Sequence, residues 1–146
     1  MSRLSHWHPV CTPAQLRSGP HQVELCGETI AVFRTGSGRV AAVPDTCVHR
    51  RMSLSCGAVV GEQLVCPYHG WRYSADGQVT SPANPELHVK TGCYEAAVRY
   101  GVVFIRRAGG SSVFPKLDID GLSPIAPSTR RVAAPMPLVL DNFVEV

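Results

Sequence analysis

Four side chains able to bind a metal stand in two short stretches: Cys47-x-His49 within DTCVHRRMSL, and Cys66-x-x-His69 within CPYHGW, with sixteen residues between His49 and Cys66. Structural zinc accepts two Cys and two His, but its usual spacing keeps the cysteines on one element and the histidines on another, and this sequence mixes them. A mononuclear catalytic iron of the two-His, one-carboxylate kind needs imidazoles, a carboxylate and open positions, for which thiolates are poor ligands. A [2Fe-2S] cluster in which one iron takes both thiolates and the other both imidazoles asks each stretch for one sulfur and one nitrogen, and the mixed order fits that demand directly. Each reading requires two loops to converge on one centre from opposite sides.

The elements that must deliver those loops read almost wholly as strands. Short apolar or β-branched runs at residues 22–25, 29–34, 39–43, 61–66, 94–100 and 102–107 are separated by turn chemistry such as TGSG, ADGQ and RYGV. A strand about every ten residues predicts an all-β sandwich or small antiparallel barrel, without alternating β and α units. The run at 39–43 leads into the first loop through Pro44 and Asp45, and the run at 61–66 into the second. One short helix is expected over residues 13–18: Thr12 caps, Pro13 suits the first position, Gln15 completes a capping box, and Gly19-Pro20 stops the chain.

Composition narrows the class. The chain of 146 residues is 45% hydrophobic and 17% charged, which fits one domain with an ordinary core and is too apolar for a disordered chain. The net charge is +3, with the basic residues in scattered doublets such as Arg50-Arg51, Arg106-Arg107 and Arg130-Arg131, so no nucleic-acid partner is expected. No run approaches a membrane span and MSRLSHWHPV lacks a signal-peptide core, so a cytoplasmic, membrane-free protein is expected. Six cysteines in a reducing compartment read as ligands or small apolar groups before disulfides. Cys11, Cys26 and Cys93 are expected to be buried apolar groups, and His6, His8, His21 and His88 to be no one's ligands. Beyond residue 108 the Pro-, Gly- and Ser-rich AGGSSVFPKLDIDGLSPIAPSTRRVAAPMPL reads as an extended connector over a surface, and the terminal VLDNFVEV as the truncated start of a further unit. The expected division is therefore 1–108 and 109–146.

The two loops, with WHPV at 7–10, VFR at 32–34, LSCG at 54–57 and WRYSADG at 71–77, resemble the Rieske [2Fe-2S] domain in the N-terminal part of Rieske-type non-haem iron oxygenases. The resemblance spans roughly residues 7–107. It implies a Rieske-type fold with one [2Fe-2S] cluster held between two hairpin loops, Cys47 and Cys66 on one iron and His49 and His69 on the other. The imidazoles then leave the reducible iron near the surface. Pro67 stiffens the second loop, Gly70 allows its tight exit, and Trp71 and Tyr73 supply apolar cover.

Two departures stand out. Rieske proteins of respiratory chains have an extra Cys in each loop, forming a disulfide clamp; here those positions are Met52 and Tyr68, and Cys56 lies too far along to replace them. With fewer donors to the sulfurs, a potential toward the low end of the Rieske range, roughly −150 to +300 mV, is expected. Arg51 stands where the family commonly has Gly, which puts a bulky side chain at the tip of the first loop.

The resemblance also supplies a function. DNFVEV matches the first half of the family's N-x-x-(D/E)-x-x-H-x(4)-H motif, putting Glu145 at the acid that bridges a Rieske His to a neighbouring subunit's iron site. Both motif histidines, and with them the mononuclear Fe(II), are expected beyond this chain, which alone should be redox-active without catalytic residues of its own. The full protein is then an oxidoreductase, a mono- or dioxygenase, that takes single electrons from a reductase or ferredoxin and works as a homo-oligomer. A free-standing Rieske ferredoxin and a structural zinc module are the alternatives.

Overall fold

The computed structural model describes residues 3–118, 132–135, 137 and 139. Among them the strands are β1 (His8–Cys11), β2 (His21–Leu25), β3 (Glu28–Arg34), β4 (Val40–Pro44), β5 (Ala58–Val60), β6 (Gln63–Val65), β7 (Arg72–Tyr73), β8 (Gln78–Thr80), β9 (Val89–Lys90), β10 (Tyr94–Arg99) and β11 (Val102–Arg107). All pairings are antiparallel and fall into two sheets, ordered β1-β11-β10-β4-β3-β2 and β5-β6-β7-β8-β9. The edges β1 and β2 of the larger sheet approach each other, so that sheet nearly closes into a barrel. The all-β Rieske-type architecture expected from the sequence is the one observed.

The run Ile30-Ala31-Val32-Phe33 shows how the two sheets are joined. Successive side chains of a strand point to opposite faces, so a run without a polar member suits a strand covered on both sides. Ile30 and Val32 enter an apolar cluster inside the barrel-like sheet with Val23, Ala42, Val103 and Ile105. Ala31 and Phe33 enter a second cluster with Val43, Leu54, Leu64, Tyr73 and Val79, between the sheets. All four are 0% exposed, and burying Ile30, Val32 and Phe33 contributes about 1.5–3 kcal/mol each. Cys47 and Cys66 belong to this second cluster, which puts both thiols at the junction of the sheets.

Turn chemistry sets the registers. Cys26-Gly27, with φ of 52° and 80°, forms the two-residue connection between Leu25 and Glu28, and Tyr100-Gly101, with φ of 53° and 73°, forms the one between Arg99 and Val102. Two successive positive φ values make the hairpin turn whose twist matches that of the strands. Cys26 is consequently exposed at a turn, against the expectation that it is buried, and Cys93 is only half-buried; Cys11 is buried as expected. The expected helix is a single 3-10 turn, Pro13–Leu16, in which Gln15 Oε1 accepts the Thr12 N–H at 2.9 Å. It stops two residues early because the Arg17 N–H bonds back only three residues, to the Ala14 carbonyl.

The first part of the connector is docked against the larger sheet. Phe114 packs on Trp7 and Phe104 with ring centroids 5.0 Å apart in each case, and Arg99 lies over its face. Arg106 donates to the Ser112 carbonyl at 2.7 Å and to Glu95, while Ser112 Oγ donates to the Ser5 carbonyl at 2.8 Å. Arg107 pairs with Glu28. The second basic doublet is thus tied to carboxylates of the same fold, and the third, Arg130-Arg131, lies outside the described residues. No helix among the described residues is long and apolar enough to cross a membrane.

Candidate metal centre

Loop 1 runs from β4 to β5 across the two sheets, and loop 2 closes the β6–β7 hairpin. Although they join different elements, their backbones fold alike. The Cys47 N–H donates to the Met52 carbonyl and the Arg51 N–H to the Cys47 carbonyl, both at 2.8 Å. In loop 2 the Cys66 N–H donates to the Trp71 carbonyl at 2.8 Å and the Gly70 N–H to the Cys66 carbonyl at 3.1 Å. The fourth residue after each Cys has a left-handed backbone, φ 57° at Arg51 and 71° at Gly70. Loop 2 meets this with glycine, whereas loop 1 holds an arginine in a conformation that L side chains disfavour. This is the physical content of the missing glycine noted in the sequence.

The turn aims backbone donors at each sulfur. Burial alone would push the Cys47 thiol up, but hydrogen bonds from the Tyr73 hydroxyl, the His49 backbone, the Cys66 thiol and the Arg50 backbone together hold it below the usual thiol value. Burial pushes the Cys66 thiol up, against the backbone bonds of Tyr68 and His69, and its bond to Cys47 raises it further. The two thiols, each 2% exposed, therefore touch each other, and Cys47 is the one that more readily carries negative charge.

The imidazoles form a separate pair at the surface. The His49 and His69 rings meet edge-on with centroids 4.8 Å apart, and both residues are exposed. Trp71 stacks on His49 at 5.0 Å and 10°, and Tyr68 packs on His69 at 3.8 Å. The four expected ligands are brought together as sulfur with sulfur inside and nitrogen with nitrogen outside. Among the described residues no three His, Cys, Asp or Glu converge as a single-ion site requires. A buried soft pair beside an exposed imidazole pair is a donor set that fits a [2Fe-2S] cluster.

Tyr73 has a role the sequence did not disclose. Its ring is fully buried as the expected apolar cover, yet its hydroxyl donates to Cys47 Sγ at 3.0 Å and accepts the Val48 N–H at 2.9 Å. The available signal was strand alternation: two residues beyond Trp71, position 73 faces the core between the sheets. Of the other histidines, His8 Nε2 lies 2.9 Å from the Arg3 carbonyl oxygen and His21 Nε2 3.4 Å from Gln15 Nε2, both away from the loops. Asn142 and Glu145 lie outside the described residues. A cleft of about 320 Å³ lined by Thr35, Arg39, Glu62, Ser74, Ala75 and Asp76 sits among the turns at the opposite end of the smaller sheet.

Residues 6–95 match the family model of the Rieske [2Fe-2S] domain. The chain belongs to that family. Among curated proteins it is similar to the methylxanthine N1-demethylase of Pseudomonas putida, 39% identical over 111 residues that cover 68% of this chain and 31% of that protein. It is also similar to the vanillate O-demethylase oxygenase subunit of a Pseudomonas species, 33% identical over 103 residues covering 68% and 28% of the respective chains. Among solved structures, NdmA of Pseudomonas putida with caffeine superposes with a TM-score of 0.72 at 34% identity, over 82% of this chain and 38% of that one. Dicamba monooxygenase bound to dicamba does so with 0.68 at 26% identity, over 76% and 36%. These relatives are Rieske oxygenases, and this chain spans about a third of their length.

Proposed function

We propose that this chain is the electron-accepting portion of a Rieske-type oxygenase, with Cys47 and Cys66 holding one iron of a [2Fe-2S] cluster and His49 and His69 the other. When bound, the cluster supplies one-electron storage between a reductase or ferredoxin and a mononuclear non-haem iron in a portion of the oxygenase that has no counterpart in these residues. The chain's own residues prepare that chemistry. Tyr73 Oη and the backbone N–H groups of the two turns hold negative charge on sulfur, the core between the sheets keeps water from the thiolates, and the exposed imidazoles present the outer edge to a partner. Residues 1–108 form the Rieske unit in this reading and 109–146 lead toward the catalytic unit, with Glu145 as the acid that connects a Rieske His to a neighbouring subunit's iron. The whole enzyme is a homo-oligomer of the cytoplasm that hydroxylates or demethylates an organic substrate with O2.

The observation that carries this reading is the division of the four donors into a buried thiol pair and an exposed imidazole pair. The test is spectroscopic. The purified chain should contain two irons and two sulfides, absorb in the visible, and on reduction give a rhombic EPR signal with low average g. Cys47→Ser and His69→Ala should each abolish it. A colourless chain with one zinc and no reducible signal would refute the assignment.

A further inference from the structure

We infer that Asp45 is a positioning residue that clamps the base of loop 1 in a chain without the inter-loop disulfide of respiratory Rieske proteins; this rests on the reading of Cys47 and His49 as ligands. Loop 1 has no covalent closure, since Met52 and Tyr68 occupy the positions noted above and Cys56 is exposed and free. It also carries Arg51 in a left-handed conformation, which a turn keeps only when its surroundings over-determine it. Asp45 provides that constraint. Its side chain is buried, 3% exposed, and its Oδ1 accepts the Ser55 N–H at 2.6 Å. Its Oδ2 accepts Ser55 Oγ–H at 2.7 Å and Gln22 Nε2–H at 2.5 Å, while its own N–H donates to the Thr29 carbonyl at 2.9 Å.

These bonds do three things. They pin residues 45 and 55, the two ends of the span that contains Cys47, His49 and Arg51. Through Gln22 and Thr29 they fix that span to β2 and β3 of the larger sheet. They also lead into Gly57, whose backbone passes so close to the Val65 carbonyl, one residue before Cys66, that a Cβ there would lie 2.1 Å from the oxygen. The three donors to the Asp45 carboxylate, one backbone N–H and two side chains, are all neutral, so among the described residues no ion pair explains the buried carboxylate, and the geometry it enforces on the loop does. Loop 2 is stiffened within itself by Pro67 and Gly70.

The test uses the full chain carrying its cluster. Asp45→Ala, Asp45→Asn and Ser55→Ala are compared with wild type and with Ile105→Val, a remote core variant that lowers Tm without touching either loop. The readouts are the rate of cluster bleaching by an iron chelator and the EPR line width. Losing the two hydrogen bonds to Ser55 and the one to Gln22 should speed bleaching about tenfold or more in Asp45→Ala. Asp45→Asn and Ser55→Ala should fall between, all three with broadened lines, and Ile105→Val should bleach at the wild-type rate. Bleaching of Asp45→Ala no faster than Ile105→Val, with unchanged lines, overturns the clamp and leaves the cluster reading standing. If Asp45→Ala does not fold, Ser55→Ala and Gln22→Ala, which keep the carboxylate, decide in the same way. A wild-type chain that takes up no cluster overturns both.

Discussion

Replacing Tyr73 by Phe removes one oxygen and leaves the buried ring in place, so the change isolates the two hydrogen bonds of the hydroxyl. The bond donated to Cys47 Sγ at 3.0 Å is strongest when the sulfur carries most negative charge, which is in the reduced cluster. Losing it therefore disfavours reduction and lowers the potential. If the bond is worth about 1 kcal/mol more to the reduced than to the oxidised form, a fraction of the roughly 1.5–3 kcal/mol that a hydrogen bond to a charged group contributes, the one-electron potential falls by about 40 mV. The bond accepted from the Val48 N–H at 2.9 Å is lost in both oxidation states and shows as a stability loss of about 1–2 kcal/mol. Redox titration followed by EPR measures the first effect and urea unfolding of the oxidised protein the second. A potential that stays unchanged or rises, with the cluster intact, would refute the account of Tyr73 as a donor. The expectation of a low potential rested on few donors to sulfur, and Tyr73 is one that the sequence reading had counted as apolar cover.

Gly57→Ala would set a methyl group 2.1 Å from the Val65 carbonyl oxygen, a backbone contact that cannot yield, and should cost about 2–4 kcal/mol in chemical denaturation together with loss of cluster. Arg51→Gly relieves a left-handed side-chain-bearing residue and should leave the stability unchanged or raise it by up to about 1 kcal/mol, measured as a shift in urea midpoint; a clear loss would show that the arginine side chain itself supports the loop. Burial pushes the Cys11 thiol from 9.0 up to about 11, so the unfolded chain loses that proton first as pH rises. The resulting stabilisation is complete below about pH 9 and declines through pH 11 by about 2–3 kcal/mol, and Cys11→Val should lose less stability over that window than wild type.

The parts of the fold most legible in the sequence were the strands long enough to show a period or a continuous apolar run: β2, β3, β4, β10 and β11. β1, β5, β7, β8 and β9 have no counterpart among the expected runs because each is two to four residues long and buries at most one side chain, such as Tyr73 in β7 or Val79 in β8. Such strands are specified by their neighbours in the sheet. The two loops were legible because metal-binding side chains are few in kind and their spacing is local. What supports those loops was not, since Tyr73 reaches Cys47 across 26 positions and Asp45 reaches Gln22 across 23. Contacts of that span leave no trace in a short window of sequence. The docking of Phe114 on Trp7 was hidden for the same reason: composition described that segment as an extended connector over a surface and left its anchor points open.

The two loops do not depend on each other equally. Trp71, which follows His69, covers His49, and Tyr73, on the strand leaving loop 2, grips the sulfur of Cys47 in loop 1. Loop 1 returns the Val48 N–H bond to the Tyr73 hydroxyl and the contacts of the thiols and the imidazoles, but sends no buried side chain of comparable size across. Loop 2 thus serves as the mould and loop 1 as the casting: damage to the β6–β7 hairpin reaches both halves of the centre, whereas damage confined to residues 48–52 leaves the other half in shape to receive a repaired partner.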